Sequence, residues 1–185
     1  MDVIAKIRAQ FTALETGDAD LARAAVSPDW VDREASFEHG LGELRGPASL
    51  LATGVWLRWG LPDLRFVEQS TVADDRRAIS YVLFTGTHTG PFIGFRDGRV
   101  DRVIPPTGRR VEVRHAHVYE LRDGEVVTHD AVRDDLGTLT QLGMMPPSPA
   151  MIARIAAWKV SGRARRVADE IVAAQRAVVA SLVPA

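Results

Sequence analysis

The spacing of apolar residues changes once along this chain, and that change limits the fold more than any other feature. Up to Gly60 the apolar residues recur in steps of three and four, the mark of one helical face: Val3, Ile4, Ile7, Phe11 and Leu14 in a first segment. Gly17 is a stop signal, and Asp18 or Asp20 caps a second helix over Leu21–Val26. Ser27-Pro28-Asp29 is turn chemistry, followed by a short strand-like run, Trp30 to Glu34. Gly46-Pro47 opens a third helix carrying Leu50, Leu51, Val55, Trp56 and Trp59 up to Gly60. After Leu61-Pro62-Asp63 the period becomes two. Leu64, Phe66 and Glu68 alternate with Arg65 and Val67, and residues 78–85, AISYVLFT, are the strongest strand signal. Arg109–Leu121 is the next, and Arg122-Asp123-Gly124-Glu125 joins it as a hairpin to Val126–Asp134. Helices followed by a run of antiparallel strands predict an α+β fold, with the N-terminal helices packed on one face of a curved sheet. Such an arrangement closes into a cone whose open mouth is a ligand cavity.

Two further pieces complete the organisation. Between the strong strands lies a Gly/Pro-rich connection with its own mini-hairpin signal at Asp97-Gly98. After Gly143 a linker, MMPPSP, leads to two helical stretches, Ser148–Val160 and Arg163–Leu182. This divides the chain into a cone domain, residues 1–143, and a C-terminal helical extension, residues 144–185. The last helix carries an apolar stripe, Val167, Ile171, Val172, Val178, Val179 and Leu182, which must be buried against the outside of the sheet or a second subunit. A homodimer is the expectation.

Composition excludes several functions. The chain has 185 residues, 46% hydrophobic and 25% charged, which suits one packed domain and not a disordered chain. With 23 basic and 24 acidic residues it lacks the basic excess of a nucleic-acid binder. The absence of cysteine excludes a disulfide scaffold, a thiolate metal site and a catalytic thiol. No apolar run approaches the roughly 20 residues that span a bilayer, and the N-terminus has no apolar signal core. A cytoplasmic protein with no membrane and no nucleic-acid partner is expected. Phosphate-binding glycine loops and the GxSxG nucleophile motif do not occur.

Histidine is where chemistry concentrates. Of His39, His88, His115, His117 and His129, the pair His115 and His117 projects from one face of a strand. Pairing Leu121 with Val126 sets His117 opposite Asp130, and a one-residue bulge changes that partner to His129 or Ala131. Either way His117, His129, Asp130, Arg133 and Asp134 gather on adjacent strands, a set suited to general acid/base work near neutral pH. The same residue types also form salt-bridged pairs on a solvated sheet face. Two His at i, i+2 with a third opposite would also permit zinc, but no fixed ligand motif is present and no metal is assigned. Phe11, Trp30, Trp56 and Trp59 lie on the helical side of the cone, as core or as walls of a pocket for a flat hydrophobic ligand, with His39 and His115 as further substrate contacts.

These residues carry a resemblance. The runs Thr87–Gly94 (THTGPFIG) and Ile104–Val111 (IPPTGRRV), the strand Val113–Leu121 with Arg122-Asp123-Gly124-Glu125-Val126, and Asp134–Gly143 (DDLGTLTQLG) resemble the SnoaL-like polyketide cyclases. So do Glu15-Thr16-Gly17-Asp18 and Ser27-Pro28-Asp29-Trp30, so that the match covers about residues 1–143. The resemblance implies the cone-shaped α+β barrel of nuclear-transport-factor-2-like proteins and dimers formed through the outer face of the sheet. It also implies intramolecular aldol ring closure of a small, hydrophobic, carbonyl-bearing molecule, without metal or organic cofactor. The catalytic Asp of the resemblance falls on Ala131, two after His129, with His117 as its helper. Without that carboxylate the chemistry passes to His117, His129 and Arg133, or to Asp130 if a bulge near His129 turns it inward. Cyclisation, isomerisation and water addition fit this set, and a ligand-binding or dimeric accessory protein of the same fold is the alternative. The segment from Phe95 to Val103 is an insertion near the mouth of the cone, placed to act as a lid or to set pocket depth.

Overall fold

The computed structural model describes residues 1–35 and 40–182. Helices α1 (Val3–Thr16), α2 (Ala19–Ala25) and α3 (Gly46–Gly60) come first, with the two-residue strand β1 (Val31–Asp32) between α2 and α3. Six strands follow, β2 (Arg65–Ala73), β3 (Arg77–Thr87), β4 (Phe92–Arg96), β5 (Arg99–Ile104), β6 (Arg110–Arg122) and β7 (Glu125–Arg133). Helices α4 (Asp135–Gln141), α5 (Pro149–Val160) and α6 (Arg163–Ala180) end the described chain. The order read from the periodicity is present, and the protein is a mixed α+β fold with a C-terminal helical extension. No described helix is long and apolar enough to cross a membrane.

Local chemistry sets the helix ends. Asp2 accepts from the Ala5 N–H at 2.7 Å to start α1, and Gly17 ends it at φ 81°, where a side chain would be strained. The inner face of α1, with Ile7, Phe11 and Leu14, packs with Leu50 and Leu51 of α3 against Val82, Tyr119 and Val126 of the sheet. Each such side chain contributes roughly 1.5–3 kcal/mol by leaving water. Buried Lys6 reaches across to the Gly124 carbonyl at 2.7 Å and to Glu125, tying α1 to the β6–β7 turn.

The main sheet runs β1-β7-β6-β3-β2. Every pair is antiparallel except β1 with β7, which is parallel, with Val31 opposite Thr128 and Asp32 opposite His129. The purely antiparallel expectation is corrected here. Backbone bonds from Ser27 N–H to the Val126 carbonyl and from Arg33 N–H to the His129 carbonyl, both 3.0 Å, lay the Trp30–Glu34 run along β7. Asp123 (φ 53°) and Gly124 (φ 76°) form a turn with two left-handed residues, the geometry that matches strand twist. Val127 is bulged, because Glu120 faces Thr128 while Leu121 faces Val126. That extra residue brings Ala131 opposite His117, Arg133 opposite His115 and His129 opposite Tyr119. From Thr128 to Arg133 the strand is regular, so no bulge at His129 turns Asp130 inward.

The insertion forms the separate β4–β5 hairpin, turning at Asp97-Gly98. Its apolar residues Ile93, Phe95 and Val103 cluster with Ala164, Ala168 and Ile171 of α6. Fully buried Gln175 fixes α6, donating to the Ala52 carbonyl at 3.1 Å and accepting from Gly40 N–H at 3.3 Å. Lys159 of α5 donates to the Asp101 carbonyl at 3.1 Å, and Arg154 to that of Pro106. Most of the stripe of the last helix is therefore buried within the chain, and not on the outer face of the sheet. Val167, Ile171 and Val172 pack against the hairpin cluster, and Val178 and Leu182 pack on the main core.

Candidate active site

Between the helices and the concave face of the sheet lies a cavity of about 280 Å³. That is close to the lower end of the 300–1,000 Å³ typical of small-molecule sites. Its wall is largely apolar, with Phe11, Leu50, Leu57, Phe66, Phe84 and Ile104 among the lining residues. Polar residues interrupt that wall. Asp32, His115, His117, Tyr119, His129 and Gln10 lie within the wall, and exposed Arg102 and Asp135 mark its rim.

Three of these residues form a line. His129 Nδ1 is 2.8 Å from Asp32 Oδ1, and His129 Nε2 is 2.8 Å from His117 Nδ1. The two imidazoles lie nearly parallel, with centroids 5.1 Å apart. The network assigns the tautomers. A carboxylate accepts, so His129 carries its proton on Nδ1 and presents a lone pair at Nε2. His117 then donates from Nδ1, and its own lone pair lies at Nε2. That atom is buried and has no hydrogen-bond partner among the described residues. Burial, and then the neighbouring His129, His115 and Arg133, hold the His117 pKa well below the ordinary histidine value. Phe11 and Phe66 meet the His117 ring edge-on and keep it dry, at 5.2 and 5.9 Å.

The other expected residues divide clearly. His115 lines the cavity, stacked on Phe84 at 4.8 Å, and burial and Arg133 push its pKa down to about 4. Phe11 and Trp56 also line it, Trp56 held by its Nε1 donating to the Ile93 carbonyl at 2.6 Å. Trp30 does not line the cavity. It is completely buried behind His129, ring to ring at 6.1 Å, as core. Trp59 packs with the hairpin cluster under the extension. Asp134 caps α4, accepting from Gly137 N–H at 2.7 Å. Asp130 is not among the cavity-lining residues either. It accepts from the Ala131 N–H at 2.8 Å and neighbours Glu34, whose carboxyl pKa is raised by burial first, against the lowering pull of Arg133. Arg133 lines the cavity but is engaged by Glu34 at 3.0 Å and Asp135 at 3.6 Å, which makes it a rim clamp. His39 lies outside the described residues. Among the described residues no group of three or more His, Cys, Asp or Glu side chains converges to hold a metal ion. The adjacent imidazoles are bonded to each other instead.

Asp32 and Tyr119 are new. A two-residue parallel strand leaves no periodic signal, so nothing in the local sequence pairs Asp32 with His129. Tyr119 was accessible by counting two more along the face of His115 and His117.

A polar relay at the base of an apolar cone suits a ring-closing enzyme, and comparison with known proteins supplies the family. The family model described as SnoaL-like polyketide cyclase matches residues 5–142. This chain belongs to that family. Aklanonic acid methyl ester cyclase DnrD of Streptomyces peucetius is 28% identical over 144 residues, covering 77% of this chain and 92% of that protein. Aklanonic acid methyl ester cyclase DauD of Streptomyces sp. (strain C5) is also 28% identical, over 77% of this chain and 83% of its own length. Among solved structures, TsrD from Streptomyces laurentii superposes with a TM-score of 0.63 at 22% identity, over 77% of this chain and 96% of that one, a likeness of fold. These matches make the chain a SnoaL-like cyclase type of enzyme. The family match ends before α5, so the α5–α6 extension lies outside the matched segment.

Proposed function

We propose that this protein closes a ring within a small, hydrophobic, carbonyl-bearing molecule by aldol addition, with His117 as the general base. The observation that carries this reading is the Asp32–His129–His117 line in an apolar cavity, with His117 Nε2 left unpaired at its end. Nε2 takes a proton from carbon next to a substrate carbonyl. The resulting enolate carbon bonds to a second carbonyl carbon of the same molecule, and that carbonyl's π pair moves to its oxygen, which is then protonated. The proton taken from carbon is balanced by the proton gained on oxygen, so no co-reactant is consumed.

A buried imidazole with a depressed pKa is a weak base alone. Here the proton has somewhere to go. As Nε2 is protonated, the Nδ1 proton of His117 passes to His129 Nε2, and the positive charge comes to rest beside Asp32. The basicity belongs to the pair and not to either ring. Arg133, clamped by Glu34 and Asp135, closes the rim over the bound substrate. We further propose that the protein works in the cytoplasm as a homodimer, and that residues 144–185 form an extension whose role is to hold the β4–β5 hairpin as one wall of the cavity.

Aklanonic acid methyl ester, the compound that names the two curated relatives, is the first substrate to test. Cyclised product followed by absorbance and mass spectrometry should appear with the native chain. His117→Ala should lower kcat by ~10²-fold or more, the usual scale for losing a general base. Full activity in that variant would remove His117 from the reaction.

A further inference from the structure

Tyr119 is a cavity residue whose chemistry the base mechanism does not use. It is fully buried, its hydroxyl has no hydrogen-bond partner among the described residues, and it lines the same cavity as His117. Buried tyrosines normally pair that hydroxyl. Left unpaired, it has given up its bond to water with nothing in return, which points to a ligand that completes the bond. His117 and Tyr119 stand two apart on the same face of β6, roughly 7 Å apart along the strand. An aldol step needs a base at one carbon and a donor at the oxygen of the carbonyl being attacked, a span of the same size.

We infer that Tyr119 is a catalytic residue whose O–H donates to the substrate carbonyl oxygen as that oxygen becomes negative. This deepens the ring-closure reading and rests on it. Its place beside Asp32 suits the role in two ways. Burial, and then Asp32, hold the phenol well above its ordinary pKa, so it remains a donor throughout. The substrate's negative charge, first on the enolate and then on this oxygen, is matched throughout by the imidazolium formed on His117 and His129, so the cavity gains no net charge. The alkoxide is finally protonated by the proton that His117 removed, and Tyr119 ends as it began. Gln10, whose Oε1 is also unpaired in the wall, comes from α1 and not from the β6 face of His117 and Tyr119, and only its Nε2 end could donate to an oxyanion. The one competing ring donor on this face is His115.

Tyr119→Phe deletes the hydroxyl alone, and His115→Phe tests the competing donor. With aklanonic acid methyl ester, Tyr119→Phe should lower kcat by ~10²-fold with KM little changed, the scale of one lost oxyanion donor. Its melting temperature should stay level or rise, since no bond is lost in the free protein. A second readout does not need turnover. Binding of para-nitrophenolate, followed by its absorbance near neutral pH, should weaken about tenfold in Tyr119→Phe and not in Tyr81→Phe, which removes a hydroxyl from the outer face of the sheet. A Tyr119→Phe protein that melts earlier, or that keeps both kcat and phenolate affinity, overturns the inference, as does loss confined to His115→Phe. If the native chain binds the phenolate through Tyr119 but cyclises nothing, the ring-closure reading fails and the donor site stands.

Discussion

Asp32 and His129 are direct partners across the parallel pair β1–β7, and the Asp32 carboxylate accepts the His129 Nδ1–H at 2.8 Å. A carboxylate from the N-terminal third of the chain thus fixes the tautomer of a ring near residue 130, and through it the protonation of His117. The base position that the resemblance assigns to residue 131 is empty of a carboxylate, because Ala131 stands there. The negative charge enters the site one strand further out and acts through two imidazoles.

Asp32→Asn should therefore lower kcat by ~10²-fold or more, as loss of the orienting carboxylate does in other acid–histidine pairs. The amide leaves the imidazolium of the relay without its counter-charge. Asp130→Asn makes the same chemical change on the neighbouring strand outside the cavity and should leave turnover close to native. Steady-state rates of the two variants side by side check this, and equal losses would contradict the relay.

Ala131 faces His117 across the ladder and lines the cavity. Placing a carboxylate there offers a second route to a base. In a His117→Ala background, Ala131→Asp should recover at least tenfold of the lost rate, with a pH profile that follows a single carboxyl group. No recovery would mean that the cavity geometry at 131 no longer supports the base position expected from the resemblance.

How much of this was legible depends on whether a residue's partner is local. His115, His117, Ala131 and Arg133 share a face because a period of two counts them onto it, and the Asp-Gly turn places β6 beside β7. The register left three partners open for His117. The choice fell to a bulge at Val127, where nothing in the local sequence distinguishes an extra residue from a paired one. Asp32 was invisible because its strand has two residues and pairs with the last strand of the sheet, across almost a hundred positions. The role of α6 was misread for a similar reason. Its stripe was plain, but the cluster that receives it comes from the hairpin insertion.

Buried neutral histidines make the fold sensitive to acid. The pKa of His88 is lowered to about 4, chiefly by burial and then by Arg154, and that of His115 to about 4, by burial and then by Arg133. Above pH ~6.5 both states of the protein hold these rings neutral. Between ~6.5 and about 4 the unfolded chain binds protons that the native chain refuses, so stability falls as pH falls. Each ring accounts for up to about 3 kcal/mol by pH 4. The urea midpoint should drop steadily over that range, and the drop should shrink in His115→Phe. A midpoint flat to pH 4 would contradict the neutral assignment.

The outer face of the sheet is where the proposed dimer would form. Val72, Ile79, Tyr81 and Val132 expose 65%, 46%, 39% and 73% of their surface there. They are continuous in register, Val72 beside Ile79, Ile79 beside Val118, Tyr81 beside Ala116, and Ala116 beside Val132. No described helix covers them, because α6 is committed to α3 and the hairpin. An apolar surface of this extent across four strands favours burial against a second copy. Light scattering should report twice the 20.2 kDa chain mass for the native protein, and Ile79→Glu should shift it to a monomer that stays folded. Truncation after Gly143 tests the tail separately. It uncovers Ile93, Phe95 and Val103 and should lower solubility, but it leaves the sheet face intact, so what remains soluble should still be dimeric. A monomeric truncation with a dimeric Ile79→Glu variant would move the interface from the sheet to the extension.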